Sequence, residues 1–383
     1  MAEPPLDPSL FAVTGVRRYL NHAAAGTLSG PAVDAGRRFL DEHATGGAIH
    51  FVPWEEQVEV VRASAGRLLG VDPADLAFTK NTTEGMSFVA NGLPWRPGDR
   101  VLVADREFPS TVYPWFSLRD LGVEVDLLEP VGAGWTLPIE RFDEHLRERP
   151  AQVVAVSWVQ FARGFRIDLA ELAQVCHAHG ALLCVDAIQG IGVVPAELEA
   201  WGVDFAATDA YKWMLGPFGG GLLYVARANR DRLRPLEPGY TSVAHRERYD
   251  HLELVYDDSA RRFEGGSLTT EAIVQMGASI DLLLEAGVDV VWRHVDSLLD
   301  HLVDRLATSA VATVASDRSP GGRSAIVTLV LDGPDPVQVV GRLRDADVVC
   351  SARGDGLRVS PHGYNTTDDI DALVDALVRA GAA

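Results

Sequence analysis

Apolar and polar positions alternate in two rhythms along most of the chain. Short unbroken apolar runs at 76–79, 100–105, 123–128, 153–157, 181–186, 203–209 and 222–225 read as buried strands. Between them, apolar residues recur at helical spacing over 31–43, 54–69, 111–121, 139–148 and 168–179, and Asn81-Thr82-Thr83-Glu84-Gly85 opens a further helix. Strands alternating with helices predict a largely parallel sheet covered on both faces. Ahead of them, the Pro-rich residues up to about 16 suggest an extended arm, and residues 19–26 a short strand entering a loop of small residues.

After residue 225 the pattern loosens. Pro235, Pro238, Gly239 and the charged stretch 246–258 form a long connection. Phe263-Glu-Gly-Gly-Ser-Leu-Thr-Thr270 then precedes an apolar helix over 271–286. Beyond it come a helix (288–307), a strand (324–331), a helix (336–346), two strands (348–352 and 357–360) and a final helix from Asp368. The expected fold is α/β: a large domain at 1–265 and a smaller α+β domain at 266–383 with a mostly antiparallel sheet.

Composition narrows the functions. The 383 residues suit two domains, and 47% apolar with 23% charged residues is ordinary for a globular chain. A net charge of −20 argues against nucleic acid or an anionic membrane as partner, so any anionic ligand must be met by local donors. Three irregularly spaced cysteines (Cys176, Cys184, Cys350) give no disulfide framework and point to a reducing compartment. The first residues carry neither the basic nor the apolar region of a secretory signal, and no apolar run is long enough to cross a bilayer, so a cytoplasmic protein is expected. Cys176, His177 and His179 resemble metal ligands, but neighbouring and two-apart positions on a helix diverge, and no metal site is expected there.

Candidate chemistry centres on 181–221. Asp186 ends one apolar run, and Lys212, between Tyr211 and Trp213, follows the next. A lysine among aromatic rings is poorly solvated and can form a Schiff base with an aldehyde, while a buried carboxylate can keep a pyridine nitrogen protonated. The pair suggests pyridoxal phosphate; the alternative is a capping aspartate and a surface lysine. Hydroxyls and free N–H groups at 81–85 suit a phosphate, or a plain helix cap. Gly190-x-Gly192 imitates a dinucleotide fingerprint, yet Pro195 replaces its third glycine and the tight strand–helix turn is missing.

Three groups of residues carry a family resemblance: Val185-Asp186-Ala187-Ile188-Gln189, Asp209-Ala210-Tyr211-Lys212-Trp213 with Gly216-Pro217, and Leu357-Arg358-Val359-Ser360-Pro361-His362 with Tyr364-Asn365-Thr366. With them the chain resembles the class V aminotransferase group of fold-type I pyridoxal-phosphate enzymes. The resemblance implies a mostly parallel seven-stranded sheet, Lys212 as the Schiff-base lysine, Asp186 at the pyridine nitrogen and Gln189 at the phenolic oxygen. It places Thr82, Thr83, Asp209 and Tyr211 around the phosphate, although relatives often have Ser where Asp209 stands. Phe108 takes the ring-stacking place that desulfurases give to histidine. Arg358 would grip a substrate carboxylate, with Asn21 and Ala24 on the substrate side. Arg353 would meet a second anionic group or stay an exposed loop arginine. Ser267 would reach the phosphate of a neighbouring subunit, implying a homodimer with a shared active site.

The substrate class so implied is an α-amino acid. Aminotransferase-type chemistry is favoured, because Phe108 leaves no second acid–base group facing Lys212. A β-lyase (C–S lyase-like), an epimerase and a decarboxylating oxidative deaminase are the alternatives. From other classes come a dinucleotide-binding oxidoreductase and a non-catalytic relative, the latter opposed by the retained Lys212, Asp186 and Arg358. Cys350 sits in an apolar strand close to Arg358, so a desulfurase with a persulfide-forming loop cysteine is not expected.

Overall fold

The structure, a computed structural model, describes residues 3–250, 252–309, 311–333 and 335–381. Met1 and Ala2 of the expected arm and His251 of the long connection lie outside the described residues. The chain opens with β1 (Arg18–Tyr19). The central sheet holds β2 (Leu76–Thr79), β3 (Arg100–Ala104), β4 (Glu124–Leu128), β5 (Val153–Ser157), β6 (Leu182–Asp186), β7 (Phe205–Asp209) and β8 (Gly221–Val225), in the order β2-β8-β7-β6-β5-β3-β4. All pairings are parallel except those of β8, which runs against β2 and β7. The chain between β7 and β8 is too short for a helical crossover, so it reverses there.

Helices α1 (Gly30–Gly46), α2 (Phe51–Leu69), α3 (Thr82–Gly92), α4 (Pro109–Phe116), α5 (Ile139–Glu148) and α6 (Leu169–Ala178) belong to this half. The central strands are buried along their length because helices cover both faces. The C-terminal half has α7 (Thr270–Ala286), α8 (Val288–Ser309), β9 (Ala312–Val314), β10 (Val327–Leu331), α9 (Pro336–Asp345), β11 (Val348–Val349), β12 (Ser351–Arg353), β13 (Gly356–Val359) and α10 (Thr367–Gly381). Its four-stranded sheet, β12-β13-β10-β9, is antiparallel throughout.

Three expectations need correction. The strand expected over 348–352 splits at Cys350, because Val348–Val349 pairs in parallel with β1 while Ser351–Arg353 pairs with β13. The arm is not extended: Pro8–Leu10 and Ala12–Gly15 form 3-10 turns, the first capped by Asp7, and burial of Leu6 and Phe11 draws them in. Strand β9 was not anticipated, since three residues are too few to display an alternation.

The topology fixes where chemistry can sit. Asp186 pairs across the sheet with Ser157 and Ala207, and Asp209 with Gly221, itself opposite Thr79. The carboxyl ends of β5, β6 and β7 and the entry to α3 therefore share one edge, the usual ligand crevice of an open α/β sheet. Residues 20–24 and 360 are tied to each other by Leu20, His22 and Ser360 backbone bonds, which bring both chain ends to that edge.

Candidate active site

Lys212 lies just past β7 and is 5% exposed. Its surroundings are interlocked. Trp213 Nε1 donates to Gln189 Oε1 (2.8 Å), Gln189 Nε2 donates to the Ala23 carbonyl (3.0 Å), and His362 Nε2 meets the Trp213 carbonyl (2.9 Å). Gly26 N donates to the Tyr211 carbonyl at 2.6 Å, and a Cβ on Gly26 would stand 2.2 Å from the Lys212 carbonyl oxygen, so only glycine fits there. The three motif groups and the 19–26 loop thus converge on one backbone segment.

Burial lowers the Lys212 amine to about 8, partly opposed by the Asp186 charge and reinforced by Arg358. Asp186, 2% exposed, accepts from Thr111 Oγ1 (2.8 Å) and the Ile188 N–H (3.1 Å). Burial raises its carboxyl above the ordinary value, and those two bonds with the Lys212 charge act the other way. Close by, the carboxylate of Glu107 accepts from Ser157 N (2.7 Å) and Oγ (2.6 Å), and burial pushes it up to about 7.

A cavity of about 350 Å³ opens over Lys212, lined by Thr82, Thr83, Phe108, Asp186, Asp209, Tyr211 and their neighbours. The larger cleft beside Asn91–Trp95 and Arg232–Arg234 is lined by no lysine, serine, threonine, cysteine or buried carboxylate. At one wall Asn81 caps α3, its side chain accepting from the Glu84 N–H at 2.9 Å. Thr83 Oγ1 donates to Ser110 Oγ (2.7 Å), while Thr82 Oγ1 and Asp209 Oδ1 are buried without a partner. Burial raises Asp209 to about 7 despite the N–H groups of Ala210 and Tyr211. Two orphaned polar atoms beside a helix start fit a phosphate, with Asp209 donating when protonated. Tyr211 stacks on Phe218 with ring centres 4.5 Å apart, and Lys212 Nζ is 5.6 Å from the Phe108 ring centre.

The other expected residues are placed less uniformly. Arg358 is 1% exposed and donates by Nη1 to the Phe161 carbonyl (2.6 Å), leaving Nε and Nη2 buried without partners. Asn21 bridges Ser360 through its backbone and has an unpartnered buried Oδ1; Ala24 lies in the loop that clasps Gln189. Arg353 is half-buried on β12. Gln189 is not on the cavity wall: its amide already serves Trp213 and Ala23, with one N–H left over. Ser267 is exposed in a neighbouring cavity that also borders Lys80 and Gly219, outside its own chain's Lys212 cavity. Sequence reasoning missed Thr111, Glu107 and Arg163. Hydroxyls at the start of α4 were a signal for Thr111; nothing in the pattern marked the other two. The Cys176–His179 side chains do diverge: His177 meets Asp204 (2.9 Å), His179 meets Asp143 (2.7 Å) and Cys176 is buried.

Residues 18–373 match the family described as aminotransferase class-V. The chain belongs to that family. A probable cysteine desulfurase of Methanothermobacter thermautotrophicus is 28% identical over 94% of this chain and 93% of its own length. The apo cysteine desulfurase of Thermococcus onnurineus superposes with a TM-score of 0.88 at 21% identity, covering both chains completely. The cystine C–S lyase C-DES, solved with its product cysteine persulfide, superposes with a TM-score of 0.88 at 21% identity over 94% of this chain and 97% of that one. The class V chain is a pyridoxal-phosphate enzyme of the fold-type I architecture.

Proposed function

We propose that this class V enzyme is a C–S lyase, eliminating sulfur from a cysteine-derived α-amino acid without passing it to a thiol of its own. The observation that carries this is the state of the three cysteines. All are buried, and burial raises Cys176 and Cys350 to about 12 and Cys184 well above the ordinary thiol value. None offers the exposed thiolate that accepting sulfur requires. The neighbour named a cystine C–S lyase supports elimination, and the relative named a probable cysteine desulfurase supports removal of sulfur from a cysteine. Amino transfer, first in order from sequence, uses the same lysine and moves to second place.

Each role falls to a residue already described. Lys212 holds the cofactor, with Thr82, Thr83, Asp209 and Tyr211 at its phosphate and Asp186, steadied by Thr111, at its ring nitrogen. Bound there, pyridoxal phosphate supplies an electron sink that acidifies the substrate's Cα–H. The Lys212 amine takes that proton and can hand it to the departing sulfur. Arg358 offers Nε and Nη2 to the substrate carboxylate as a fork. Phe108 covers the site with an apolar ring and has no proton to exchange. Elimination breaks the Cα–H and Cβ–S bonds and, with the addition of one water, ends in pyruvate, ammonium and the sulfur group as a thiol, or as a persulfide where the substrate is a disulfide such as cystine.

The test is to mix holoenzyme with L-cystine and S-methyl-L-cysteine and follow products and spectrum. Pyruvate and ammonia in equal amounts, persisting in Cys350→Ser, are expected. A keto acid formed with conversion of the cofactor to its pyridoxamine form would replace the reading by amino transfer. Sulfur release that depends on Cys350 would overturn it.

A further inference from the structure

Three guanidinium groups gather on one face of the small sheet. In the β12–β13 pair Ser351 lies opposite Arg358 and Arg353 opposite Gly356. Alternation along each strand then puts Arg353 and Arg358 on the same side, as diagonal neighbours. A Cβ on Gly356 would stand 3.2 Å from Arg163 Nη1, so the Arg163 guanidinium lies over that face too. The face reaches the lysine through aromatic contacts. Phe161, whose carbonyl holds Arg358, sets its ring edge-on to Phe108 at 5.5 Å, and Phe108 lies against Lys212.

This arrangement is poorly neutralised. Arg163 pairs with Asp355, an exposed carboxylate, yet its Nε and Nη1 stay buried without partners, as do Nε and Nη2 of Arg358. Arg353 donates to the Ala352 carbonyl at 2.8 Å, and among the described residues neither Arg353 nor Arg358 makes an ion pair. Their charges oppose each other: Arg353 adds to the burial that holds Arg358 down at about 9. The chain has 54 acidic residues against 34 basic ones, so carboxylates are not scarce. Buried charges without partners are costly unless a ligand supplies the opposite charge. One α-carboxylate occupies the open edge of Arg358 and leaves Arg353 and the buried edge of Arg163 unmet.

We propose that the substrate is an amino acid with a second anionic group on its side chain: Arg358 takes the α-carboxylate, and Arg353 with Arg163 takes a carboxylate, sulfinate or sulfonate at the far end. This rests on Lys212 being where the amino acid reacts. With the lyase reading, the second anion belongs to the leaving group. S-Sulfo-L-cysteine is the simplest such compound. Breaking its Cα–H and Cβ–S bonds and adding one water gives pyruvate, ammonium, thiosulfate and a proton, with no net oxidation.

Two measurements on holoenzyme test it. In the first, L-aspartate and its neutral isostere L-asparagine are titrated while the visible cofactor band is followed; neither carries a sulfur to eliminate. Aspartate should bind at least about tenfold tighter, the scale of one more charge-assisted contact. Arg353→Gln should bring the two within about threefold of each other, and Arg353→Lys should restore part of the gap. Arg353 is half-buried, so this variant carries the test even where Arg163→Gln fails to fold. Equal binding in the unaltered enzyme overturns the proposal, and so does a preference that survives Arg353→Gln. In the second, S-sulfo-L-cysteine and S-methyl-L-cysteine are compared for pyruvate release. Equal pyruvate release from both, with no preference for aspartate, keeps the lyase reading and sinks the second anion. A preference for aspartate without elimination from either sulfur compound does the reverse.

Discussion

Asp209 and Lys212 sit on one cavity wall with shifts in opposite directions, and both come first from burial. An ordinary aspartate is ionised at neutral pH and would repel a phosphate; raised to about 7, this one still donates a proton there. An ordinary lysine is charged; lowered to about 8, this one becomes a nucleophile within the working range. The signs fix a pH profile for loading of the apoenzyme. Raising pH toward 8 frees the amine and favours uptake, while raising it past 7 ionises Asp209 and opposes phosphate binding. Affinity for pyridoxal phosphate should therefore peak between about 7 and 8, the midpoints of the two groups. Asp186 also faces the lysine, and its charge favours the charged amine against the effect of burial. Asp209→Asn should abolish the alkaline decline and leave a curve that rises and levels off. The check is the dissociation constant by fluorescence between pH 6 and 9. A decline that persists in Asp209→Asn would show that another group causes it. Asp186 and Lys212 were legible in the sequence because each ends an apolar run. Glu107 and Arg163 were not, because a charged residue in a loop gives no sign of whether the fold will bury it.

Among the elements, most strands and helices followed from periodicity, and two of the failures share one cause. Residues 348–352 look like one apolar strand, yet tertiary pairing divides them between β1 and β13. The arm of residues 3–16 folds back because Phe11 finds Tyr364, with ring centres 4.1 Å apart and 353 positions away in sequence. Long-range partners of this kind leave no local trace. Another is the clamp between α2, β2 and the loop after Phe263. Arg62 Nη1 donates to Glu264 Oε1 (2.7 Å) and the Leu76 carbonyl (2.9 Å), and Glu264 Oε1 also accepts from Phe78 N (2.8 Å). Both side chains are nearly inaccessible, at 4% and 3% exposure. Glu264→Ala leaves Arg62 only the more exposed Glu59 carboxylate (3.1 Å) and strands the Phe78 N–H, and should destabilise the protein by about 2–3 kcal/mol. The urea midpoint at constant m-value measures this, and a loss below about 1 kcal/mol would mean that water reaches Arg62.

For the whole molecule, the alternation of strands and helices was enough to anticipate a parallel sheet and a crevice at its carboxyl edge. The reversal of β8 follows from the short connection after β7, while the return of residues 20–24 to the lysine depends on packing between distant segments. Assembly is a further step. Ser267 is exposed on the loop that Glu264 anchors, beside rather than inside its own chain's Lys212 cavity. We propose that Ser267, held outside its own chain's cavity, serves the phosphate in the cavity of a second copy across a two-fold axis, where every contact is made twice. Mixing two inactive variants tests this directly. Lys212→Ala removes the lysine from its own site and keeps Ser267. Ser267→Trp keeps the lysine and blocks the phosphate end of the neighbour's site. In a mixed dimer of this design, one site combines an intact Lys212 with an intact Ser267. Random re-pairing puts half the chains in mixed dimers with one competent site of two, so about a quarter of the original activity should return. Serine and lysine acting within one chain would give no recovery on mixing, and a fully active monomer in sedimentation would remove the shared site altogether.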